Sequence, residues 1–157
     1  MNRRGVLIFL GLLTLTIGCD HATKIAATSL LEPNAVVSVA AGTVRLELAQ
    51  NPGAFMSLGA DLPASVRILL FAVLVPLSVI GVTALALRSA SSGLALLAGA
   101  LIAGGGLANW LDRMVHDGAV IDFVSLGIGP VRTGIFNVAD LAVVAGFLLL
   151  VVHRSPR

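Results

Sequence analysis

Long apolar runs recur from one end of this 157-residue sequence to the other. A helix needs about 20 mostly apolar residues to cross the hydrocarbon core of a bilayer. Four segments approach that length: roughly 5–30, 65–87, 93–111 and 136–152. Only 11% of the residues are charged, against about 25% in soluble domains. The sequence therefore predicts an all-α membrane protein with four transmembrane helices.

Two stretches outside these helices, residues 31–64 and 112–135, follow a different pattern. Apolar and polar side chains alternate with a period of two over Val44–Leu48, and Ala41-Gly42 supplies a turn before them. Such alternation predicts a β-hairpin or small sheet, here on the outer membrane surface. In the second stretch, a short strand or loop is expected before the turn at Gly129-Pro130.

No repeat, linker or low-complexity tail interrupts the sequence, so one integral-membrane domain is expected over residues 1–157. Arginines occupy both ends and the turn between helices two and three, whereas every Asp and Glu lies in or beside the opposite side. Basic loops remain in the cytoplasm, so both termini are expected there and both outer stretches outside. The arginines in question are Arg3, Arg4, Arg88, Arg154 and Arg157.

The N-terminal segment is similar to a cleavable signal, because a basic start and an apolar run precede Gly18-Cys19. However, Thr16 stands three positions before Cys19, and the apolar pattern continues past Asp20 and Lys24. We therefore expect the N-terminus to be retained and Cys19 not to be lipidated. As the only cysteine, Cys19 is expected to pack as a small buried residue.

Charges inside the predicted spans are informative, since each costs about 2.5–3.5 kcal/mol at the bilayer centre on insertion scales. Asp20 and Lys24 lie four residues apart, which favours an ion pair that seats helix one near the interface. Asp112 and Arg113 follow Asn109 at the outer end of helix three. Their simplest interpretation is an interfacial charge pair, although the amide of Asn109 also needs a partner.

Three further features lie near the predicted outer surface. The glycines of Gly104–Gly106 leave one turn of helix three bare, which lets a neighbouring helix approach closely. Asn137 and Asp140 are three residues apart at the start of helix four, where a carboxylate also favours the helix dipole. Asp122 lies in the apolar run AVIDFV, in a strand-like setting that disfavours Asp.

Several chemistries can be weighed against these residues. The three histidines form no HExxH frame, which argues against a metalloprotease. Lys24 is the only lysine, so a Ser–Lys dyad with one of several serines stays open. Asp122 and Asp140 could instead share one proton, with one carboxylate activating water and the other donating to the carbonyl oxygen. A non-enzymatic scaffold or small transporter is the remaining alternative.

Five motifs occur in order along the chain: D-x-x-x-K from Asp20, N-P-G-A-F from Asn51, G-G-G-L-A-N-W-L-D-R from Gly104, V-I-D-F from Val120 and F-N-V-A-D from Phe136. Through these motifs the chain resembles the lipoprotein signal peptidase (signal peptidase II) family over nearly its whole length. Members of that family are intramembrane aspartyl proteases that cleave prolipoproteins just before a diacylglyceryl-modified cysteine. The resemblance implies this activity, near the outer leaflet of a bacterial cytoplasmic membrane.

Individual roles are also implied by the resemblance. Asp122 and Asp140 would be the catalytic pair, with no metal or other cofactor. Residues that line or support the substrate site would be Asn51, Gly53, Asn109, Arg113 and Asn137. A structural polar group would comprise Asp20, Lys24 and Asp112. The expected partners are prolipoproteins carrying diacylglyceryl-cysteine and membrane lipid, not nucleic acid, and the protein is expected to be a monomer.

Two departures from the family pattern add bulk near the implied site. Phe55 and Met56 follow Ala54 where the family has N-x-G-A-A-F, and Ala108 stands where the family has Gly before Asn109. We therefore expect an altered pocket, and a divergent paralogue with a different substrate preference is a further alternative.

Overall fold

A computed structural model describes residues 3–88 and 93–154, with side chains described up to Val152. Arg157, which the charge pattern placed in the cytoplasm, lies outside the described residues. The fold is mostly helical. Its helices are α1 (Arg3–Leu30), α2 (Ala64–Arg88), α3 (Gly93–Val115) and α4 (Val138–Arg154). Each coincides with one of the four predicted segments to within four residues.

The first three helices are long and apolar enough to cross a membrane, whereas α4 has 17 residues and is shorter. Helix α2 is α-helical except for a π-helical segment at Leu69–Leu74. None of the most apolar window of α2 is buried inside the protein. A helix whose surface is apolar and is not covered by the rest of the protein is suited to contact with lipid.

Four antiparallel strands form a small sheet in the order β1 (Val37–Val39), β2 (Val44–Asn51), β3 (Val120–Ile128) and β4 (Val131–Arg132). The predicted hairpin is present as β1 and β2. The second outer stretch contributes a nine-residue strand, longer than the expected short strand or loop. The predicted small sheet is therefore present beside the helices, and residues from both stretches, 31–64 and 112–135, join it.

The pairing of β2 with β3 places polar residues beside one another. Ala49 pairs with Asp122 and Asn51 with Val120, after a register shift between Leu46 and Ala49. The sheet thereby brings Asn51 and Asp122, 71 residues apart in sequence, within hydrogen-bonding distance. This proximity depends on register, since a one-residue slip reverses the face on which every side chain lies.

Helix α3 packs against all three other helices through Gly104–Gly106. A Cβ atom added to the first glycine would lie 2.9 Å from Cβ of Thr16 in α1, and one added to the third 3.1 Å from Val79 in α2. At the middle glycine, the added atom would overlap the carbonyl oxygen of Ala139 in α4. The predicted close approach is confirmed, with a different helix at each glycine.

Cys19 is exposed, so the expectation that it is buried is wrong. The buried side chains of α1 recur every three to seven residues along one face of the helix: Gly5, Phe9, Thr16, Asp20, Lys24 and Ala27. Since successive helical residues are rotated by about 100°, Cys19 lies off this face although it directly precedes Asp20.

Candidate active site

Five polar residues predicted from the sequence line one cavity of about 330 Å³: Asn51, Asn109, Arg113, Asp122 and Asp140. They come from β2, α3, β3 and α4, so no pair of neighbouring elements could assemble the site alone. Both aspartates are buried, with 1% and 9% of their surfaces exposed.

Asn137, which is fully buried, connects the two aspartates. Its side-chain nitrogen donates a 2.6 Å hydrogen bond to Oδ1 of Asp122. Its side-chain oxygen accepts a 2.9 Å hydrogen bond from the backbone N–H of Asp140. One amide therefore fixes β3 relative to the first turn of α4 and holds the two carboxyl groups at the same cavity.

Two other side-chain amides each donate to one of the carboxyl groups. Asn51 donates to Oδ2 of Asp122 at 2.8 Å, and Asn109 donates to Oδ1 of Asp140 at 2.9 Å. Hydrogen-bond donors stabilise a buried carboxylate against the cost of desolvation. The arrangement can therefore hold negative charge without a neutralising cation in direct contact with either carboxyl group.

Burial raises the pKa of Asp122 from 3.8 to about 6. The hydrogen bond from Asn51 opposes this effect, whereas the negative charge of Asp140 adds to it. A carboxyl group with such a pKa exchanges a proton near neutral pH far more readily than an exposed aspartate, which suits acid–base chemistry.

Arg113 is 7% exposed, and no carboxylate is among its hydrogen-bond partners in the described residues. It donates to the carbonyl oxygens of Gly53 and Asn109, and it lies 4.3 Å from the ring centroid of Phe71. The alternative interpretation of Asp112 and Arg113 as a charge pair is therefore not supported, because consecutive helical residues point in different directions.

Asp112 instead belongs to a buried ion triad. Nζ of Lys24 lies 2.6 Å from Asp20 and 2.8 Å from Asp112. These side chains belong to residues that are only 1–7% exposed. The predicted ion pair of Asp20 and Lys24 is present, and α3 covers it and supplies the third charge.

Gly53 occupies a position where a side chain does not fit. An added Cβ would lie 2.7 Å from the carbonyl oxygen of Leu58. Its N–H donates to Oδ1 of Asn51 at 2.8 Å. This contact, together with the bond from its carbonyl oxygen to Arg113, holds the loop after β2 against the cavity.

The two departures from the family pattern lie in different places. Phe55 lines the cavity, with its ring centroid 6.5 Å from that of Phe136, and Met56 packs against Gly134. Ala108 lines a separate cavity of about 310 Å³ between α1 and α3. Bulk at Ala108 therefore does not narrow the candidate site, and that expectation is wrong.

No sequence pattern indicated which residues form the apolar wall of the cavity. Phe71 and Val75 come from α2, and Val143 and Val144 from α4. Both helices are apolar along their length, so periodicity does not distinguish a side chain that faces the cavity from one that faces lipid.

Other chemistries find less support in the described part of the chain. The described polar contacts of the Lys24 ammonium are with Asp20, Asp112 and Asn109, and no serine is among them. Within residues 3–88 and 93–154, no three His, Cys, Asp or Glu side chains form a potential metal-binding group.

The fold is that of bacterial membrane enzymes. Two solved structures described as such superpose with TM-scores of 0.80 each, at 21% and 19% identity. The superposition on the first structure covers 93% of this chain and 86% of that structure's chain. The superposition on the second covers 95% of this chain and 94% of that structure's chain.

The model of the signal peptidase (SPase) II family matches residues 12–155. The lipoprotein signal peptidase of Rhodococcus jostii is 36% identical over 156 residues, which cover 96% of this chain and 73% of that protein. That of Mycobacterium leprae is 34% identical over 154 residues, or 95% and 72% of the two chains. The chain belongs to the signal peptidase II family.

Proposed function

We propose that this protein is an intramembrane aspartyl endopeptidase that removes signal peptides from prolipoproteins, cutting before a diacylglyceryl-modified cysteine. Family membership supports a peptidase acting on prolipoproteins. The observation that carries the aspartyl assignment is the presence of Asp122 and Asp140 on one cavity, joined by Asn137.

The chemistry follows from two carboxyl groups that share one proton, because two neighbouring carboxylates do not both ionise cheaply. The ionised carboxylate removes a proton from water, whose oxygen attacks the scissile carbonyl carbon. The protonated carboxyl group donates its proton to the carbonyl oxygen. As the tetrahedral intermediate collapses, the C–N bond breaks, the leaving amine takes a proton from the protonated carboxyl group, and one hydroxyl of the intermediate returns its proton to the ionised carboxylate, so the pair again holds one proton. Asp122, with its raised pKa, is suited to hold the shared proton.

The side chains around the pair fit an extended peptide joined to a lipid. Among the described residues, none accepts a hydrogen bond from Nε–H of Arg113, and Arg113 lines the cavity, so it can bind a substrate carbonyl group. Asn51, Gly53, Asn109 and Asn137 support the carboxyl groups and the loop after β2. The apolar wall from α2 and α4 suits acyl chains, and Phe55 at the rim is the position where substrate preference would differ from relatives.

In the membrane, we propose one domain over residues 1–157, with four spanning helices and both termini in the cytoplasm. The sheet and the active site then lie at the outer leaflet of the bacterial cytoplasmic membrane. We further propose that the protein acts as a monomer, that α1 keeps its N-terminus and that Cys19 is not lipidated.

The alternatives make different predictions. A scaffold or transporter would not need Asp122 to ionise, and a Ser–Lys peptidase would need Lys24 beside a serine rather than between two aspartates. A divergent paralogue would retain the aspartyl chemistry but cleave other lipid-modified substrates.

The proposal is tested by incubating the purified protein with a diacylglyceryl-modified prolipoprotein and measuring the product masses. We expect one cut directly before the modified cysteine, with no cut by Asp122→Asn. An unmodified precursor serves as the substrate control. Absence of cleavage by the wild-type protein, or equal cleavage by Asp122→Asn, would refute the proposal.

A further inference from the structure

The residues directly before Asp122 and Asp140 are each held by a buried carboxylate from elsewhere in the fold. Oδ2 of Asp112 accepts a 3.2 Å hydrogen bond from the backbone N–H of Ile121. Oδ1 of Asp20 accepts a 2.8 Å hydrogen bond from the backbone N–H of Ala139. The backbone at each aspartate of the active site thus has its own anchor.

One lysine joins the two anchors. The three N–H bonds of the Lys24 ammonium are matched by contacts with Asp20 at 2.6 Å, Asp112 at 2.8 Å and Oδ1 of Asn109 at 3.1 Å. Oδ1 of Asn109 also accepts a 3.0 Å hydrogen bond from Asn137. With its oxygen held in this way, Asn109 directs its amide nitrogen toward Oδ1 of Asp140.

Resting on the proposed function, we propose that Asp20, Lys24 and Asp112 are positioning residues that set the separation and orientation of the two catalytic carboxyl groups. Asp20 and Asp112 line the separate cavity between α1 and α3, not the catalytic cavity. They act through the backbone of residues 121 and 139, and Lys24 acts through Asn109. Small displacements matter here, since misplacement of about 1 Å costs on the order of 100-fold in rate.

The two anchoring carboxylates, Asp20 and Asp112, use their side-chain oxygens differently. Asp20 uses both oxygens, one for the backbone of Ala139 and one for Lys24. Asp112 uses the same oxygen, Oδ2, for Ile121 and Lys24. Asparagine has a single side-chain oxygen and can therefore replace both contacts of Asp112 but only one contact of Asp20. Each substitution removes the same charge next to the same lysine.

The experiment compares Asp20→Asn, Asp112→Asn and Asp112→Ala with the wild-type protein. It measures kcat, KM and the pH profile on the lipid-modified substrate, and the unfolding temperature in detergent. We expect Asp20→Asn and Asp112→Ala to lose kcat by roughly 100-fold with little change in KM. Asp112→Asn should lose less than about tenfold, and the two slow variants should show altered spacing of the two apparent pKa values.

Equal kcat values for Asp20→Asn and Asp112→Asn would overturn the proposal, as would losses of kcat with an unchanged pH profile. If Asp20→Asn does not fold, the comparison of Asp112→Asn with Asp112→Ala tests the proposal, because only Asp112→Asn keeps an oxygen that can accept from Ile121 and Lys24. Failure of the wild-type protein to cleave would refute the proposed function instead, so the two outcomes are distinguishable.

Discussion

The side-chain nitrogen of Asn137 lies 2.6 Å from Oδ1 of Asp122, and both residues are almost completely buried. They belong to separate elements, β3 and the segment that leads into α4. A hydrogen bond to a carboxylate in a low-dielectric site is strong and directional. This bond aligns the sheet with the start of α4, where Asp140 lies.

Replacement of either catalytic aspartate by asparagine should abolish nearly all turnover while the protein still folds, because the shared proton is lost. The double variant should be little slower than either single variant, since the two groups act as a unit. Glutamate at either position adds a methylene and should cost on the order of 100-fold. Single-turnover cleavage of the lipid-modified substrate measures these losses. Near-normal rates in either asparagine variant would contradict the dyad.

Removal of metal ions should leave activity unchanged, because in the proposed mechanism the shared-proton pair activates water. The test is dialysis against EDTA followed by measurement of kcat/KM, with zinc and magnesium restored in parallel samples. Loss of cleavage on chelation and recovery with either ion would contradict the aspartyl mechanism.

The raised pKa of Asp122 predicts a specific pH dependence of stability. Between pH 3.8, the ordinary pKa, and about 6, the folded protein holds a proton that the unfolded chain has released. Unfolding then releases a proton, so stability falls as pH rises across this window and is level above it. A shift of about two units corresponds to about 3 kcal/mol. Unfolding in detergent should show this slope in the wild type and a shallower slope in Asp122→Asn.

A methyl group at Gly105 should destabilise the protein and slow catalysis, because it would overlap the carbonyl oxygen of Ala139 beside Asp140. Overpacking of this kind costs about 1–3 kcal/mol. Gly11→Ala is the matched control, since an added Cβ there meets no atom within 4 Å. The measurement compares the unfolding temperature and kcat of Gly105→Ala with those of Gly11→Ala. Equal values for the two variants would count against close packing of α3 on α4.

Both termini should be cytoplasmic. Alkaline phosphatase, which is active only outside the cytoplasm, should be inactive when fused after Arg157 and active when inserted at Asp61. The reason is the placement of arginines at the ends and at the turn between α2 and α3. The reverse pattern of activities would invert the topology.

Local sequence patterns predicted the elements of the fold well. The bounds of the four helices follow from apolar runs, because inside a bilayer each backbone polar group must be satisfied within its own helix. The alternation in Val44–Leu48 likewise indicated β2. The length of β3 was not predicted, since its pairing with β2 depends on a strand about 70 residues away.

The candidate site could be nominated but not assembled from the sequence. Asp122 was conspicuous because an aspartate in an apolar run needs a reason to be there. The cavity beside Ala108 and the exposed face of Cys19 were assigned wrongly. The grouping of Asp112 with Asp20 and Lys24 came from the family resemblance and not from local spacing.

The sequence by itself determined which segments are helices and which charges must be paired, because backbone hydrogen bonding and the cost of desolvation act on every residue locally. Only the tertiary structure decided which charges pair. Lys24 could bond to Asp20 within its own helix, but its contacts with Asp112 and Asn109 required α3 to pack against α1 at one rotation. Such contacts depend on helix rotation and strand register, which close packing selects and local propensity does not.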